Sequence, residues 1–239
     1  MSTAVAPDLT LPLLGGRHHF LLRRLHSLTG IIFGGYLVVH LIINATIAQF
    51  GTAYQVQVNK IHELPFLWAI EWIAIYLPIL YHTFYGAWII FTGQPNVERY
   101  PYQMNWGYTL QRISAVIIVL FMFFHVFALK AGLFGHNLSF DPHDASYTIH
   151  RHMTTSFLLP WVVYPIGILA SCYHLANGFW TAAITWGLTV SAGSQRRWGY
   201  ACTGLFAITL IFGMTALAAS TSSELAQPEK AGTVQVHGT

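Results

Sequence analysis

The stretch SLTGIIFGGYLVVHLIINATIAQ (27–49) decides the fold, because it contains no aspartate, glutamate, lysine or arginine. A helix that crosses a membrane needs about 20 mostly apolar residues. Four further segments meet this requirement, at 67–92, 109–131, 157–181 and 199–220. The sequence therefore predicts an all-α integral membrane bundle of five transmembrane helices.

The composition points the same way. Of the 239 residues, 54% are hydrophobic and only 8% are charged, whereas soluble domains carry about 25% charged residues. The net charge is +3 with no basic cluster longer than a pair, so we expect lipid and not nucleic acid as a partner. The two cysteines form no CxxC or CxxCH pattern, which excludes a disulfide scaffold, a thiolate iron–sulfur site and a c-type haem site.

Lysine and arginine are distributed unequally between the two sides of the bundle. The side with the N-terminus, the loop 93–108 with the start of the third span, and the loop 182–198 carries seven of them, and the other side carries four. Cytoplasmic loops hold the excess, so we expect a cell inner (cytoplasmic) membrane, with the N-terminus cytoplasmic and the C-terminus outside. Residues 1–220 are predicted to form a single domain, and 221–239 a polar, mobile tail.

Four histidines lie inside the predicted spans: His40, His82, His125 and His174. An ionisable side chain at membrane depth is costly and points to function. With a rise of about 1.5 Å per residue, His40 and His125 fall in the outer half of the membrane and His82 and His174 in the inner half. The four histidines therefore form two layers, each drawn from two helices.

Two imidazoles that face each other across a bundle favour haem. Zinc or copper would require a third or fourth ligand, and the candidate nearest in depth, Cys172, lies on a different helix face from His174. A porphyrin brings four nitrogen ligands of its own, so two axial histidines complete the iron site. We predict two bis-histidine b-type haems and electron transfer across the membrane.

A short internal repeat supports the inner layer, since 81–88 and 173–180 both have the pattern Y-H-x-x-x-G-x-W. Residues four apart share a helix face, so Gly86 and Gly178 are expected to leave room for a flat macrocycle. Close helix packing is the alternative. The residues expected to meet the propionates of the inner haem are Arg24, His26, Ser27, Gln111 and Arg112.

With these residues the chain resembles the cytochrome b subunit of succinate:quinone oxidoreductases, in its five-helix, di-haem form. The last of the matching stretches is the most specific, because simple hydropathy would not generate it. The stretches are RRLHSLTG (23–30), HLIIN (40–44), LPILYHTFYG (77–86), LQRISAVI (110–117), FHV (124–126) and YHLANGFWTAAITWGLTVSAGSQRR (173–197).

The resemblance implies that His82 and His174 ligate the haem nearer the dehydrogenase, and His40 and His125 the distal haem. It implies flavoprotein and iron–sulfur partner subunits, a role in respiratory complex II and the tricarboxylic acid cycle, and a membrane quinone, with menaquinone favoured over ubiquinone. A higher oligomer of the whole complex is compatible with it. Some fumarate reductases of this family carry a glutamate where this chain has Cys172, and that departure favours succinate oxidation.

Three side chains near the start of the second span are candidates for an outer quinone site. Glu71, His62 and Glu63 lie close in depth to the outer histidine layer and could exchange protons with a quinone. The alternatives are a solvated loop for His62 and Glu63 and a bond to a neighbouring helix for Glu71. An inner quinone site near the start of the first span also remains open.

The loop 132–156 holds four histidines whose spacing fits no standard metal-ligand pattern, and we expect a solvated interfacial loop. Two other functions remain open for the chain. One is the b-type subunit of a hydrogenase or formate dehydrogenase, which co-purification would identify. The other is a channel or transporter that relays protons through histidines and shows no haem absorbance.

Overall fold

The computed structural model describes residues 16–49, 52–93, 98, 103–135 and 138–226. Within these ranges the regular elements are all helical. They are α1 (Gly16–Ala45), α2 (Thr52–His62), α3 (Leu67–Thr92), α4 (Gln103–Leu129), α5 (Ala145–Thr154), α6 (Leu159–Thr185) and α7 (Ala192–Ser220), with 3-10 turns at Thr46–Ala48, Pro142–Asp144 and Ser223–Leu225.

Five of these helices, α1, α3, α4, α6 and α7, are long and apolar enough to cross a membrane. The prediction of an all-α bundle with five spans is therefore confirmed. Three helices, α1, α4 and α7, begin earlier than the apolar runs, because polar turns extend them. At the start of α7 the Ser191 hydroxyl accepts from the Ser194 amide at 3.1 Å, and the Ser194 hydroxyl accepts from the Ser191 amide at 3.1 Å. This capping box begins the helix well before residue 199.

Helices α1 and α6 form the centre of the bundle. α1 packs against α3, α6 and α7, and α6 packs against α4 and α7. Glycines permit these close approaches: a Cβ on Gly34 would lie 2.7 Å from Leu175 Cδ1, and one on Gly213 would lie 2.6 Å from Ile168 Cγ2. In the described part of the chain, neither α1 with α4 nor α3 with α6 is a closely packed pair. Those are the two helix pairs that share a histidine layer.

Helices α3 and α6 each contain one π-helical turn, at Trp72–Tyr76 and Leu159–Val163. Proline explains both positions. A proline has no N–H, so the carbonyl four residues earlier loses its helical donor. Pro78 and Pro165 deprive the carbonyls of Ala74 and Trp161, which lie inside the two π turns.

One end of the bundle is covered by α2 and α5, and we call it the capped end; the end where α1 begins and α6 ends is the uncapped end. The Gln55 side chain joins the two covering helices, donating to the Pro142 carbonyl at 2.7 Å and accepting from the Ala145 amide at 2.7 Å. The main cluster of buried apolar side chains lies at this end. Its members include Ile47, Tyr54, Val58, Ile149, Met153, Leu159, Leu217 and Leu225.

The prediction of a solvated loop at 132–156 is wrong. Helix α5 occupies part of it, and the buried His150 and His152 bond through Nδ1 to the carbonyls of Ser220 and Leu138, both at 3.0 Å. Backbone carbonyls satisfy these polar side chains, which is why a polar segment can be buried. At the start of the tail expected from residue 221, Leu225 is buried, and the mobility of the tail stays a prediction. Outside the described ranges lie Arg99, His136, Lys230 and the rest of that tail.

Candidate functional site

The four histidines at membrane depth form two pairs, and the two rings of each pair face each other across the bundle. The ring centroids of His40 on α1 and His125 on α4 are 6.1 Å apart, with planes at 88°. Those of His82 on α3 and His174 on α6 are also 6.1 Å apart, with planes at 84°. The first pair, near the capped end, is called the capped-end pair, and the second the uncapped-end pair. The structure thus brings together the histidines that share a predicted depth, and their role as ligands stays a prediction.

Hydrogen bonds orient both rings of the uncapped-end pair. His82 Nδ1 donates to the His26 carbonyl at 3.0 Å, and His174 Nδ1 lies 3.2 Å from the Gln111 carbonyl and 3.2 Å from the Ser114 hydroxyl. A carbonyl only accepts, so each Nδ1 carries the hydrogen and each Nε2 keeps its lone pair. This is the arrangement in which an imidazole ligates a metal through Nε2.

Side chains orient the capped-end pair. His125 Nδ1 lies 3.1 Å from the Tyr164 hydroxyl. His40 Nδ1 has only longer contacts, at 3.5 Å to the Tyr36 hydroxyl and 3.4 Å to Asn44 Nδ2. Sequence analysis identified none of these three partners, because each is an ordinary polar residue in an apolar helix.

The separation within each pair fits a metal with two axial imidazoles. Nitrogen ligands at about 2.0 Å on opposite sides of a metal stand about 4 Å apart, and ring centres about 1 Å further back are then about 6 Å apart. Among the described residues no group of three or more histidine, cysteine, aspartate or glutamate side chains could hold a bare metal ion. A two-histidine site therefore suits a group that brings its other ligands with it, as a porphyrin does.

Five buried polar atoms around the uncapped-end pair have no hydrogen-bond partner within the protein. Each such atom costs about 1–3 kcal/mol if it stays unpaired, so the set is suited to a bound group rich in acceptor oxygens. The atoms are Arg24 Nε, His26 Nδ1, Arg112 Nε and the hydroxyls of Tyr85 and Thr109. The two carboxylates of a haem are acceptors of this kind.

Two residues expected at the propionates have partners inside the protein. The Ser27 hydroxyl accepts from Trp186 Nε1 at 3.0 Å, and the Gln111 amide donates to the His174 carbonyl at 3.1 Å. Tyr85 and Thr109, which sequence analysis missed, offer no distinguishing pattern of spacing. That these two hydroxyls are buried without a hydrogen-bond partner becomes visible only when α1, α3 and α4 are assembled.

The glycines of the internal repeat face side chains of neighbouring helices. A Cβ on Gly86 would lie 3.1 Å from His26 Cε1, and one on Gly178 would lie 3.5 Å from Gln111 Nε2. Close packing, the alternative given for both glycines, is therefore observed, and their contact with a macrocycle stays a prediction. The glycine that makes room for the His82 ring is Gly30, whose Cβ would lie 2.6 Å from Cε1.

The three quinone candidates lie towards the capped end. Glu71 Oε1 is 2.8 Å from Lys130 Nζ, in an ion pair whose side chains are 29% and 58% exposed. The bond to a neighbouring element, given as the alternative for Glu71, is thus confirmed, while its role with quinone stays a prediction. His62 is exposed and bonds through Nδ1 to the Val58 carbonyl at 2.9 Å, and the adjacent Glu63 is exposed.

A known protein resembles this chain over most of its length. It is 34% identical, over 206 residues, to the succinate dehydrogenase cytochrome b558 subunit of Bacillus subtilis (strain 168). The match covers 85% of this chain and 98% of that relative. The chain belongs to the succinate dehydrogenase cytochrome b family. No family model matches it.

Membership of this family makes the protein a multi-pass membrane subunit of an oxidoreductase complex. The resemblance inferred from the sequence motifs is confirmed by it. Neither a hydrogenase or formate dehydrogenase subunit nor a histidine-relay channel has comparable support. The donor sets of the two histidine pairs fit haem, and the number of haems stays a prediction.

Proposed function

We propose that the chain holds two haems b, one in each histidine pair, and conducts electrons between an iron–sulfur subunit and a membrane quinone. The observation that carries the proposal is the geometry of the pairs: both have centroids 6.1 Å apart and nearly perpendicular rings. When bound, haem supplies a one-electron carrier at each site.

The residues of the chain orient the ligands. The carbonyls of His26 and Gln111 hold the hydrogens of His82 and His174 on Nδ1, so both Nε2 atoms keep their lone pairs for ligation. An imidazole whose other nitrogen donates a hydrogen bond is a more basic ligand. At the same end Arg24 and Arg112 offer positive charge to the carboxylates of the bound group.

The distance between the pairs supports transfer across the membrane. On α1, the His82 ring contacts both the His26 carbonyl and Gly30, and His40 lies 14 and 10 residues after them. At about 1.5 Å per residue the rise between the two sites is about 15–21 Å. The hydrocarbon core is about 30 Å thick, so at least about half of it separates the two sites.

The uncapped end is our proposed cytoplasmic face and docking site for the iron–sulfur subunit, which in turn binds the flavoprotein that oxidises succinate. Between α6 and α7 the side chains of Leu188 and Val190 are 78% and 83% exposed. Arg196 and Arg197 follow and are also exposed. Apolar side chains bordered by charge suit a protein interface, and the positive charge supports a cytoplasmic location in the inner membrane.

The capped end is our proposed quinone site. Lys130 lies five residues after His125, about 7.5 Å further along the axis of the bundle, and it holds Glu71. Reducing a quinone to a quinol takes two electrons, which the capped-end haem would deliver, and two protons. The exposed His62 and Glu63 would pass protons from water towards Glu71. The preference for menaquinone and for succinate oxidation rests on the family resemblance.

Haem content of single-histidine variants tests the proposal. In the purified complex we expect two b haems per chain by pyridine haemochrome assay. Replacing His82 or His174 with alanine should remove one haem, and replacing His40 or His125 should remove the other. The matched control is His18→Ala, an exposed histidine on α1, which should keep both.

A redox titration of the four variants distinguishes the outcomes. The proposal expects two classes of variant, each lacking one of two midpoint potentials. A wild-type complex with a single haem, or the same midpoint lost in His82→Ala and His125→Ala, would contradict it. Co-purification of the flavoprotein and iron–sulfur subunits tests the docking, and recovery of hydrogenase or formate dehydrogenase subunits would contradict the assignment of partners.

A further inference from the structure

A chain of hydrogen bonds runs from the capped end into the bundle and stops at His125. The Leu138 carbonyl accepts from His152 Nδ1 at 3.0 Å, and His152 Nε2 lies 2.8 Å from the Tyr164 hydroxyl. That hydroxyl lies 3.1 Å from His125 Nδ1. His152 is fully buried and Tyr164 is 5% exposed, so water does not compete with these bonds.

The direction of every hydrogen bond follows from the carbonyl at the start. The Leu138 carbonyl only accepts, so His152 Nδ1 carries a hydrogen. Burial lowers the pKa of His152, against the opposing effect of its bond to the Leu138 carbonyl, and the neutral ring offers Nε2 as an acceptor. The hydroxyl of Tyr164 donates its one hydrogen to His152 Nε2. Its oxygen must then accept from His125 Nδ1, which leaves the lone pair of His125 on Nε2.

We propose that Tyr164 and His152 are positioning residues that fix the tautomer of His125 and tune the potential of the capped-end haem. The inference rests on the proposed function, in which His125 is an axial ligand. A hydrogen bond from Nδ1 to an acceptor raises the basicity of the ligand, and a more basic ligand favours ferric iron. The contacts of His40 are longer, at 3.4–3.5 Å, so the potential of the capped-end haem is tuned through His125.

The ring of His125 is also held in place. Phe121 stacks on it with centroids 5.5 Å apart, and the Tyr164 ring lies edge-on with centroids 5.8 Å apart. With rotation restricted by these two rings, the hydroxyl of Tyr164 determines which nitrogen carries the hydrogen. The tautomer of His125 is therefore determined by His152 on helix α5, which lies outside the membrane-spanning helices.

Replacing Tyr164 with phenylalanine removes the hydroxyl and keeps the ring. His125 Nδ1 then loses its acceptor, and the reduction equilibrium of the capped-end haem should shift about tenfold towards the ferrous state, or about 59 mV for one electron. The midpoint of the uncapped-end haem should not change. Redox titration of the purified complex measures both midpoints, and electron paramagnetic resonance of the ferric haems shows whether the ligand field of one has changed.

Two substitutions at His152 test the direction of the bonds. His152→Leu deprives the Tyr164 hydroxyl of its acceptor, so it can donate to His125 Nδ1 and drive the hydrogen onto Nε2. Haem affinity at the capped end should then fall about tenfold or more. His152→Gln can donate to the Leu138 carbonyl and accept from Tyr164 together, and should restore the wild-type midpoint. The matched control is His150→Leu, on the same helix and bonded to the Ser220 carbonyl.

The outcomes separate this inference from the proposed function. If His125→Ala keeps both haems, the ligand assignment itself fails. If His125→Ala loses one haem while Tyr164→Phe and His152→Leu match wild type in midpoint and haem content, the positioning role alone is overturned. An equal change in His150→Leu and His152→Leu would also overturn it, because general loosening of α5 would then explain the effect. The haem content of the uncapped end reports whether each variant has folded.

Discussion

Gly30 on α1 is the position where a single methyl group should remove one haem and leave the other. A Cβ there would lie 2.6 Å from Cε1 and 2.8 Å from Nδ1 of His82, while ordinary contact begins at 3.4 Å, so the ring must retreat by about 0.6 to 0.8 Å. Metal–ligand distances hold to about 0.2 Å. The displacement exceeds that tolerance, so we expect Gly30→Ala to lose the uncapped-end haem.

The same retreat breaks the hydrogen bond that orients the ring. Gly30 and His26 share a face of α1, so moving His82 off that face lengthens its 3.0 Å bond to the His26 carbonyl beyond hydrogen-bonding range. The lost bond adds about 0.5–1.5 kcal/mol to the cost. Alanine is a better helix former than glycine by about 1 kcal/mol, so weakening of α1 does not explain a loss of haem.

Haem stoichiometry and redox titration measure the effect. Gly30→Ala should retain one haem per chain and lack the midpoint that His82→Ala lacks. The control is Gly35→Ala, on the same helix, where a Cβ would meet nothing within 4 Å, and this variant should retain two haems. If Gly30→Ala retains two haems with wild-type midpoints, His82 does not ligate iron from the position that the structure gives it.

Three further predictions concern the two ends of the bundle. Glu71→Gln should slow quinone-linked turnover while both haems and dye-linked succinate oxidation stay at wild-type levels; equal quinone turnover across pH 6–8 would exclude a role. Gln55→Ala removes two 2.7 Å bonds and should cost about 1–3 kcal/mol, seen as earlier loss of the capped-end haem on heating. Arg112→Gln should weaken haem binding at the uncapped end alone, and the exposed Arg23 provides the control substitution.

The five spans could be predicted because each is a long apolar run, and about 20 such residues have few alternatives to a membrane helix. Helices α2 and α5 could not be predicted in the same way. Helix α5 is short and polar, and its burial depends on Gln55, 90 residues away from the Ala145 amide that it holds. Contacts over such distances do not appear in local hydropathy, so the segment was expected to be a solvated loop.

The pairing of the histidines followed from helix rise, which converts a position in the sequence into a depth. Which residues surround the histidines also depends on how each helix is rotated about its axis, and depth carries no information about that rotation. Gly30, Tyr164 and Lys130 were missed for this reason. The internal repeat predicts that Gly86 leaves room for a macrocycle; its neighbour in the structure is the His26 ring on α1, and its contact with a macrocycle stays a prediction.

The two pairs differ in what orients them, and this difference bears on electron transfer. The His82 and His174 rings bond to the backbone carbonyls of His26 and Gln111, which remain in place when the side chains of those two residues are replaced. The His125 ring bonds to a side chain that is itself bonded to another. In the proposed function, electrons that pass through both sites in series are driven by the difference between the two haem potentials. We therefore expect side chains of α5 and α6 to adjust the potential of the capped-end haem alone, and the charges of Arg24 and Arg112 to act on that of the other haem.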